Sequence, residues 1–403
     1  MIAKIPKHWK IKKLGEIGKV KMCKRIFKNQ TNKDSNGIPF YKIGTFGGIP
    51  DAFISKELYN EYKNKYPYPK KGDVLISAAG TIGRLVVFDG TPSYFQDSNI
   101  IWIENDENIA LNKYLYHLYS NVKWKTTEGG IISRLYNADV ESLELSIPPL
   151  KEQEKIAEIL LTCDKAIRLT TQIITQLKQR NQGLAQQLLT GEKRVKGFEN
   201  SVWKEVRLGE IGSTYNGLTS KSKEDFGEGK PYIPYLNIFS NHIVDSAAFE
   251  LVKIGVDDKQ NKVIYGDILF TISSETPDEV GMSSVMLGNI DELYLNSFCF
   301  GFRLYSFDNL LPQYACYLFR NKDFREEIVR LAQGSTRFNL SKSEFLKTRV
   351  FLPTLTEQNA IAQILDTAHQ ELKLYEQKLQ LLQAQKKTLM QKLLTGEVLT
   401  IKK

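Results

Sequence analysis

Nowhere do the 403 residues contain a run of about 18 apolar residues, the length a helix needs to cross a bilayer. The first residues, MIAKIPKHWKIKK, are basic but lack the apolar stretch of a secretory leader, so the cytoplasm is the expected compartment. Cysteine is scarce: Cys23, Cys163, Cys299 and Cys316 stand alone, with no C-x-x-C spacing for zinc and no density for a disulfide framework. They are expected to be buried thiols. His8, His117, His242 and His369 are isolated and show no metal-ligand spacing, so no metal site is expected. There is no G-x-x-x-x-G-K-[ST] loop, no G-x-G-x-x-G opening a helix, and no Asn- or Asp-Pro-Pro-Tyr motif. A nucleotide-hydrolysing or methyl-transferring centre within this chain is therefore not expected.

What is present is a globular composition, 42% hydrophobic and 25% charged, long enough for two domains with separate cores. The net charge of +9 is unevenly spread. Residues 1–200 carry 31 Lys+Arg against 21 Asp+Glu, a net +10, and the remainder carries 24 against 25, a net −1. A basic first half is the footprint of a polyphosphate binder. A neutral second half must rely on a local patch or on a partner's charge.

The chain repeats itself once. WKIKKLGEIG (9–18) returns as WKEVRLGEIG (203–212), IPFYKI (38–43) as IPYLNI (233–238), and KGDVLIS (71–77) as YGDILFT (265–271). IPPLKEQEKIAEIL (147–160) returns as LPTLTEQNAIAQIL (352–365), and LLTGE (188–192) recurs at 393–397. A period near two hundred residues is far too long for a solenoid. Each copy begins with short runs rich in Ile, Val, Tyr and Phe broken by Gly, Asp and Asn, the pattern of strands and turns with a few helices. Each copy then changes period. Ile156, Leu160, Cys163, Ile167, Thr170, Ile174, Leu177, Asn181, Leu184 and Leu188 alternate four and three residues apart. Ile361, Leu365, Ala368, Leu372, Tyr375, Leu379, Leu382, Lys386, Leu389 and Leu393 do the same, so both are heptad seams. Pro148 and Pro353 precede the helical runs, Gly191 and Gly396 end them, and Thr354 with Glu357 fits a capping box. About 40 residues of helix make a rod roughly 60 Å long. The expected fold is α+β: a tandem duplication of a mixed α/β domain, each copy followed by a long helix, with the two helices pairing as an antiparallel coiled coil. The segments are 1–148, a helix over 149–191, a linker over 192–202, a second domain over 203–352 and a helix over 353–397.

Several clusters carry binding chemistry. Lys63, Lys65, Lys70 and Lys71 interleave with Tyr59, Tyr62, Tyr66 and Tyr68, placing ammonium groups for phosphates beside rings and hydroxyls for bases or sugars. The competing arrangement puts the tyrosines in the core and the lysines on a solvated face. Lys19, Lys21, Lys24, Arg25 and Lys28 suit phosphate positioning in a loop after the first repeat motif, and Thr219, Lys221 and Lys223 are their counterparts in NGLTSKSK (216–223). In AAGTIGR (78–84) the glycines allow close backbone approach, and Thr81 and Arg84 are placed to meet a base edge or phosphate. The second copy has the acidic SSETPDEVG (273–281) instead, with Ser273 and Ser274 as candidates. Arg134 and Arg337 hold matching places late in each copy, as DNA contacts or structural ion pairs. One enzyme-like pattern, Asp51 followed by Glu61 and Lys63, has the spacing of a Mg²⁺-dependent nuclease. It has no counterpart in the second copy.

The order W-x(4)-LGEIG, then IPF or IPY, KGD with GTIG, a proline-led LKEQ or LTEQ, a long heptad helix and LLTGE resembles the type I restriction-modification specificity subunits, over almost the whole chain, twice. The resemblance implies a non-catalytic chain that reads double-stranded DNA. Residues 1–148 and 203–352 would be target recognition domains for the two halves of a split, asymmetric site. The helices would set the gap and dock two modification subunits, with two restriction subunits completing the complex. It also implies that this chain has no cofactor, with S-adenosylmethionine, ATP and Mg²⁺ in the partners. A stand-alone nuclease and a coiled-coil scaffold are the alternatives.

Overall fold

The computed structural model describes residues 5–124 and 134–400. The chain forms two compact units, Met1–Thr171 with Gln377–Lys403, and Gln172–Glu376. In the first unit it runs through β1 (Lys10–Lys13), α1 (Leu14–Ile17), β2 (Gly18–Lys21), β3 (Ile38–Tyr41), β4 (Phe53–Ile54), α2 (Lys56–Lys65) and β5 (Val74–Ser77). It continues through β6 (Leu85–Val87), β7 (Tyr94–Phe95), β8 (Ile100–Asn105), α3 (Asn112–Asn121), α4 (Asn137–Glu141), β9 (Glu144–Ile147) and into the long α5 (Leu150–Leu189). The second unit holds β10 (Lys204–Arg207), α6 (Leu208–Ile211), β11 (Gly212–Asn216), β12 (Phe226–Ile233), α7 (Tyr235–Ser240), β13 (Glu250–Val252), β14 (Ile268–Thr271) and β15 (Ser273–Ser274). Then come β16 (Ser283–Val285), β17 (Tyr294–Leu295), β18 (Cys299–Leu304), α8 (Pro312–Leu318), α9 (Lys322–Leu331), β19 (Ala332–Gln333), β20 (Phe338–Leu340), α10 (Lys342–Lys347), β21 (Arg349–Leu352) and the long α11 (Leu355–Leu394), which from Gln377 onward belongs to the first unit.

The duplication is visible strand by strand. An antiparallel sheet β2-β8-β5-β6 in the first unit matches β11-β18-β14-β16 in the second. A small sheet β4-β3-β7, with one parallel pair, matches β13-β12-β17, and the pair β1-β9 matches β10-β21. The second unit has β15-β20-β19 at the place where, among the described residues, the first has a bridge between Ala79 and Arg134. The repeated LGEIG now has a physical reason. LGEI makes one helical turn that buries Leu14 and Ile17, or Leu208 and Ile211. The glycine that follows opens the next strand where a Cβ would lie 2.2 Å from the Glu104 carbonyl oxygen, or 2.6 Å from that of Arg303. Only glycine permits that approach.

The two residues that follow LK and LT anchor the long helices. Gln153 and Gln358 are fully buried. Gln153 accepts from the Leu111 amide at 2.8 Å and donates to the carbonyls of Ile109 and Pro148. Gln358 repeats this with Leu311, Asn309 and Pro353. The neighbouring glutamates differ. Glu152 accepts from Trp9 Nε1 and is bonded to His8, whereas Glu357 is held by both ends of the Arg194 guanidinium at 2.9 Å and by the Ser201 hydroxyl at 2.7 Å. This corrects the expected capping box. The Glu357 amide does donate to the Thr354 hydroxyl oxygen, but its carboxylate turns to Arg194 and Ser201 instead of back to the helix end. Residues 192–202 are consequently tied down at both of those points.

Every heptad position named above is buried or half-buried. In the first unit Asp164 of α5 pairs with Lys386 of α11; in the second, Arg180 pairs with Glu371 at 2.7 Å and Lys178 with Glu376 at 2.8 Å. Residue numbers rise along one helix as they fall along the other, so the pairing is antiparallel. Gly191 and Gly396 both adopt φ +74° at the helix ends, the left-handed cap. A Leu160→Cys, Leu389→Cys double variant is expected to form a disulfide on mild oxidation, since both side chains join the first unit's core. Pairing with Leu365→Cys instead would mean parallel helices.

Candidate nucleic-acid interface

In the first unit α2 is capped by Ser55, whose hydroxyl accepts from the Leu58 amide, and it buries Tyr59 while leaving its lysines exposed. Tyr59 and Tyr68 share a 3.1 Å hydroxyl contact, and Tyr68 donates to the Ser93 carbonyl. Over these rings sit cations: Lys63 lies 5.4 Å from the Tyr59 centroid and 5.2 Å from that of Tyr68, while Lys24 and Lys65 lie 5.2 and 5.8 Å from Tyr66. The arrangement combines both sequence alternatives, since the buried edges of the rings build the core and their faces orient exposed ammonium groups. Lys28, Lys70 and Lys71 are also exposed.

Other candidates are already engaged. Lys19 and Lys21 lie in β2 rather than in a loop, Lys21 is 3.5 Å from Glu104, and Arg25 pairs with Asp97 at 2.9 Å. Lys221 is spent: its side chain is only 9% exposed and pairs with Asp258, so it is a structural cation and not a phosphate ligand. The Thr219 amide donates to Gln260, and Lys223 remains exposed. The nuclease pattern does not assemble. Asp51 pairs with Lys42 at 2.8 Å, which holds its carboxyl below the usual range, and Lys63 is turned onto tyrosine rings. Among the described residues no group of three or more His, Cys, Asp and Glu is arranged to hold a metal. Cys23, Cys299 and Cys316 are buried, while Cys163 is half-exposed.

The strand that ends in AAGTIGR is set by its turn. Gly72 and Gly266 take φ +96° and +86°, and the aspartates after them lock the turn. Asp73 accepts from the Lys70 amide, and Asp267 from the Ile264 amide, Tyr215 and Arg303. Beyond the strand, Ser77 binds the Thr81 carbonyl and the Arg84 amide, leaving Thr81 exposed at the tip. Arg84 donates to the Phe46 carbonyl at 2.9 Å.

The two arginines thought to match do not correspond. Arg134 bridges Ala79, and in the second unit the residue opposite Ser273 is Asn339, so Arg337 lies two residues earlier. Arg134 makes no ion pair among the described residues; its Nη2 donates to Ser98 Oγ and Asn99 Oδ1, both at 3.0 Å. Arg337 is exposed at the rim of a concavity of about 330 Å³ that also holds Ser273 and Ser274. Sequence alone gave no sign of Glu152, Gln153 and Gln358 as anchors and read Glu357 only as a helix cap, although both copies carry Glu-Gln at the same place.

The family model for the type I restriction modification DNA specificity domain matches residues 6–179 and again residues 200–384. The chain belongs to that family. Its members are recognition chains without a catalytic centre. The type I restriction enzyme MjaVIII specificity subunit of Methanocaldococcus jannaschii is 24% identical over 414 residues, covering 98% of this chain and 94% of that one. A putative type I restriction enzyme specificity subunit of Haemophilus influenzae, S.HindORF215P, is 63% identical over 164 residues, and that stretch spans 41% of this chain and 42% of the relative. The fold is shared with the solved S subunit from M. genitalium, at a TM-score of 0.58 and 17% identity over 97% of this chain and 96% of that one. It is also shared with the HsdS subunit from Thermoanaerobacter tengcongensis, at 0.51 and 17% over 98% of each. Among the described residues no helix of this family member is long and apolar enough to cross a membrane.

Proposed function

We propose that this chain is the sequence-reading subunit of a cytoplasmic type I restriction-modification complex. Residues 1–148 and 203–352 act as target recognition domains for the two halves of a bipartite, asymmetric site in double-stranded DNA. The long helices over 149–191 and 353–397 fix the gap and dock two modification subunits, with two restriction subunits completing the assembly. S-adenosylmethionine, ATP and Mg²⁺ belong to those partners. The observation that carries the reading is that two units of one topology present unlike chemistry at one place, AAGTIGR against SSETPDEVG. Equal folds with unequal surfaces suit two readers of different sequences.

Methylation sequencing of DNA from cells expressing this chain with its modification partner should reveal a split motif absent when the partner is expressed alone. No new motif, despite a soluble complex, would refute the role. Exchanging residues 1–148 for those of a relative should alter one half of the motif only. The lysines over the tyrosine rings are assigned to phosphates. A Lys24→Gln, Lys63→Gln, Lys65→Gln chain should bind target and random DNA more weakly by the same factor. Its log–log salt slope should be shallower by nearly three, about 0.9 per phosphate contact. Loss confined to the target would mean those lysines read bases.

A further inference from the structure

The concavity beside Arg337 is walled by a short sheet and not by loose loop. Ser273 and Ser274 pair with Asn339 and Phe338, and Phe338–Leu340 pairs in turn with Ala332–Gln333. Its floor is tied too. Tyr235 donates to the Ser273 carbonyl at 3.0 Å, and Ser274 donates to Glu279 at 2.8 Å. Three groups at the opening have no such partner among the described residues. Arg337 and Glu275 are both exposed and make no side-chain hydrogen bond or ion pair, although they carry opposite charges and line one cavity. Phe298 is 56% exposed beside them.

A guanidinium and a carboxylate that share a cavity without neutralising one another fit a ligand that presents acceptors next to a donor. A phosphate is the wrong shape and the wrong charge for Glu275. The major-groove edge of a C·G pair fits both walls: guanine N7 and O6 accept two bonds from one arginine, and the adjacent cytosine N4 donates to a carboxylate. An A·T pair gives the arginine only one acceptor on each base and sets the adenine amino group between them. Phe298 adds an apolar face against the neighbouring base. Among the described residues, the corresponding place in the first unit has Ala79 where the second has Ser273, and its Arg134 is bonded to Asn99.

We infer that Arg337 and Glu275 together read one C·G pair within the half-site assigned to residues 203–352. The inference rests on the specificity reading above. It is tested in the intact complex by methylation sequencing of cells carrying the wild-type chain, Arg337→Ala, Arg337→Lys or Glu275→Gln. The wild-type motif should contain a C·G pair in one half-site. All three variants should relax that same position, lowering discrimination there by roughly ten- to a hundredfold, while the other half-site and the gap stay unchanged. Lysine should not restore it, because it lacks the two-pronged fork. An unchanged motif, relaxation at different positions, or a uniform fall in methylation at every site would overturn the inference while leaving the specificity reading intact. A wild-type chain that directs no motif would overturn both.

Discussion

Acidifying the folded chain from pH 7 to about 4.5 is expected to remove roughly 2–3 kcal/mol of stability from each unit. The cause is one imidazole per unit, fully buried at His117 and half-buried at His242. His117 has no exposed surface and no hydrogen bond to either ring nitrogen. Burial pushes its pKa down to about 4; Asp164, with Oδ2 3.8 Å away, pulls the other way, and Lys386, bound to Asp164, opposes protonation. His242 is pushed down to about 4 by burial first, then by His369, whose ring centroid is 4.4 Å away, and by Arg320. Both folded values lie below the ordinary 6.5, so the unfolded chain takes up the proton first. Stability is therefore complete above pH 6.5 and is lost as pH falls from there towards 4. Urea midpoints measured across that window check this. His117→Leu should flatten the pH response of the first unit's transition, and His242→Leu that of the second. A wild-type midpoint that does not move between pH 7 and 4.5 would contradict the assignment.

Leu160→Ala and Leu365→Ala should each cost about 3 kcal/mol, because both side chains are nearly fully buried and lie in the cores of their respective units. Leu374→Ala and Leu381→Ala, one heptad apart on the outer face of α11, are 65% and 71% exposed and should cost less than about 0.5 kcal/mol. The pairs share a residue type and a helical context, so the difference isolates burial. Denaturant midpoints with unchanged slopes provide the measurement, and equal costs for the two pairs would refute the seam.

The seam was legible because a 4-3 spacing sustained along most of a 40-residue helix leaves one face no alternative to burial. The strands around KGDVLIS and YGDILFT were legible for a related reason: a buried central strand must be apolar throughout, and all four residues of each are buried. What escaped depends on partners far away in sequence. Nothing near Lys221 signals that Asp258 will neutralise it. Thr354 and Glu357 have capping-box spacing, but an arginine from residues 192–202 takes the carboxylate. RLYN and RFNL look equivalent, yet the strand register makes Asn339, and not Arg337, the positional counterpart of Arg134. The interface is the least legible part, since exposed lysines, serines and arginines obey no periodicity and are sorted only by which neighbours have already claimed them.

The first unit's core includes Leu393 and Leu394, packed with Trp9, Tyr114 and Ile156. During synthesis the ribosome delivers those two leucines only after the whole of the second unit. After Thr171 emerges, the N-terminal segment waits for the remaining chain, roughly 10–45 s at about 5–20 residues per second, with part of its apolar surface uncovered. The second unit, a single uninterrupted segment, meets no such delay. Order of birth is thus opposite to order of completion. A premature stop between Glu376 and Leu393 would leave the second unit's segment whole while stripping Leu393 and Leu394 from the first unit's core, so nonsense alleles in that stretch should show N-terminal defects.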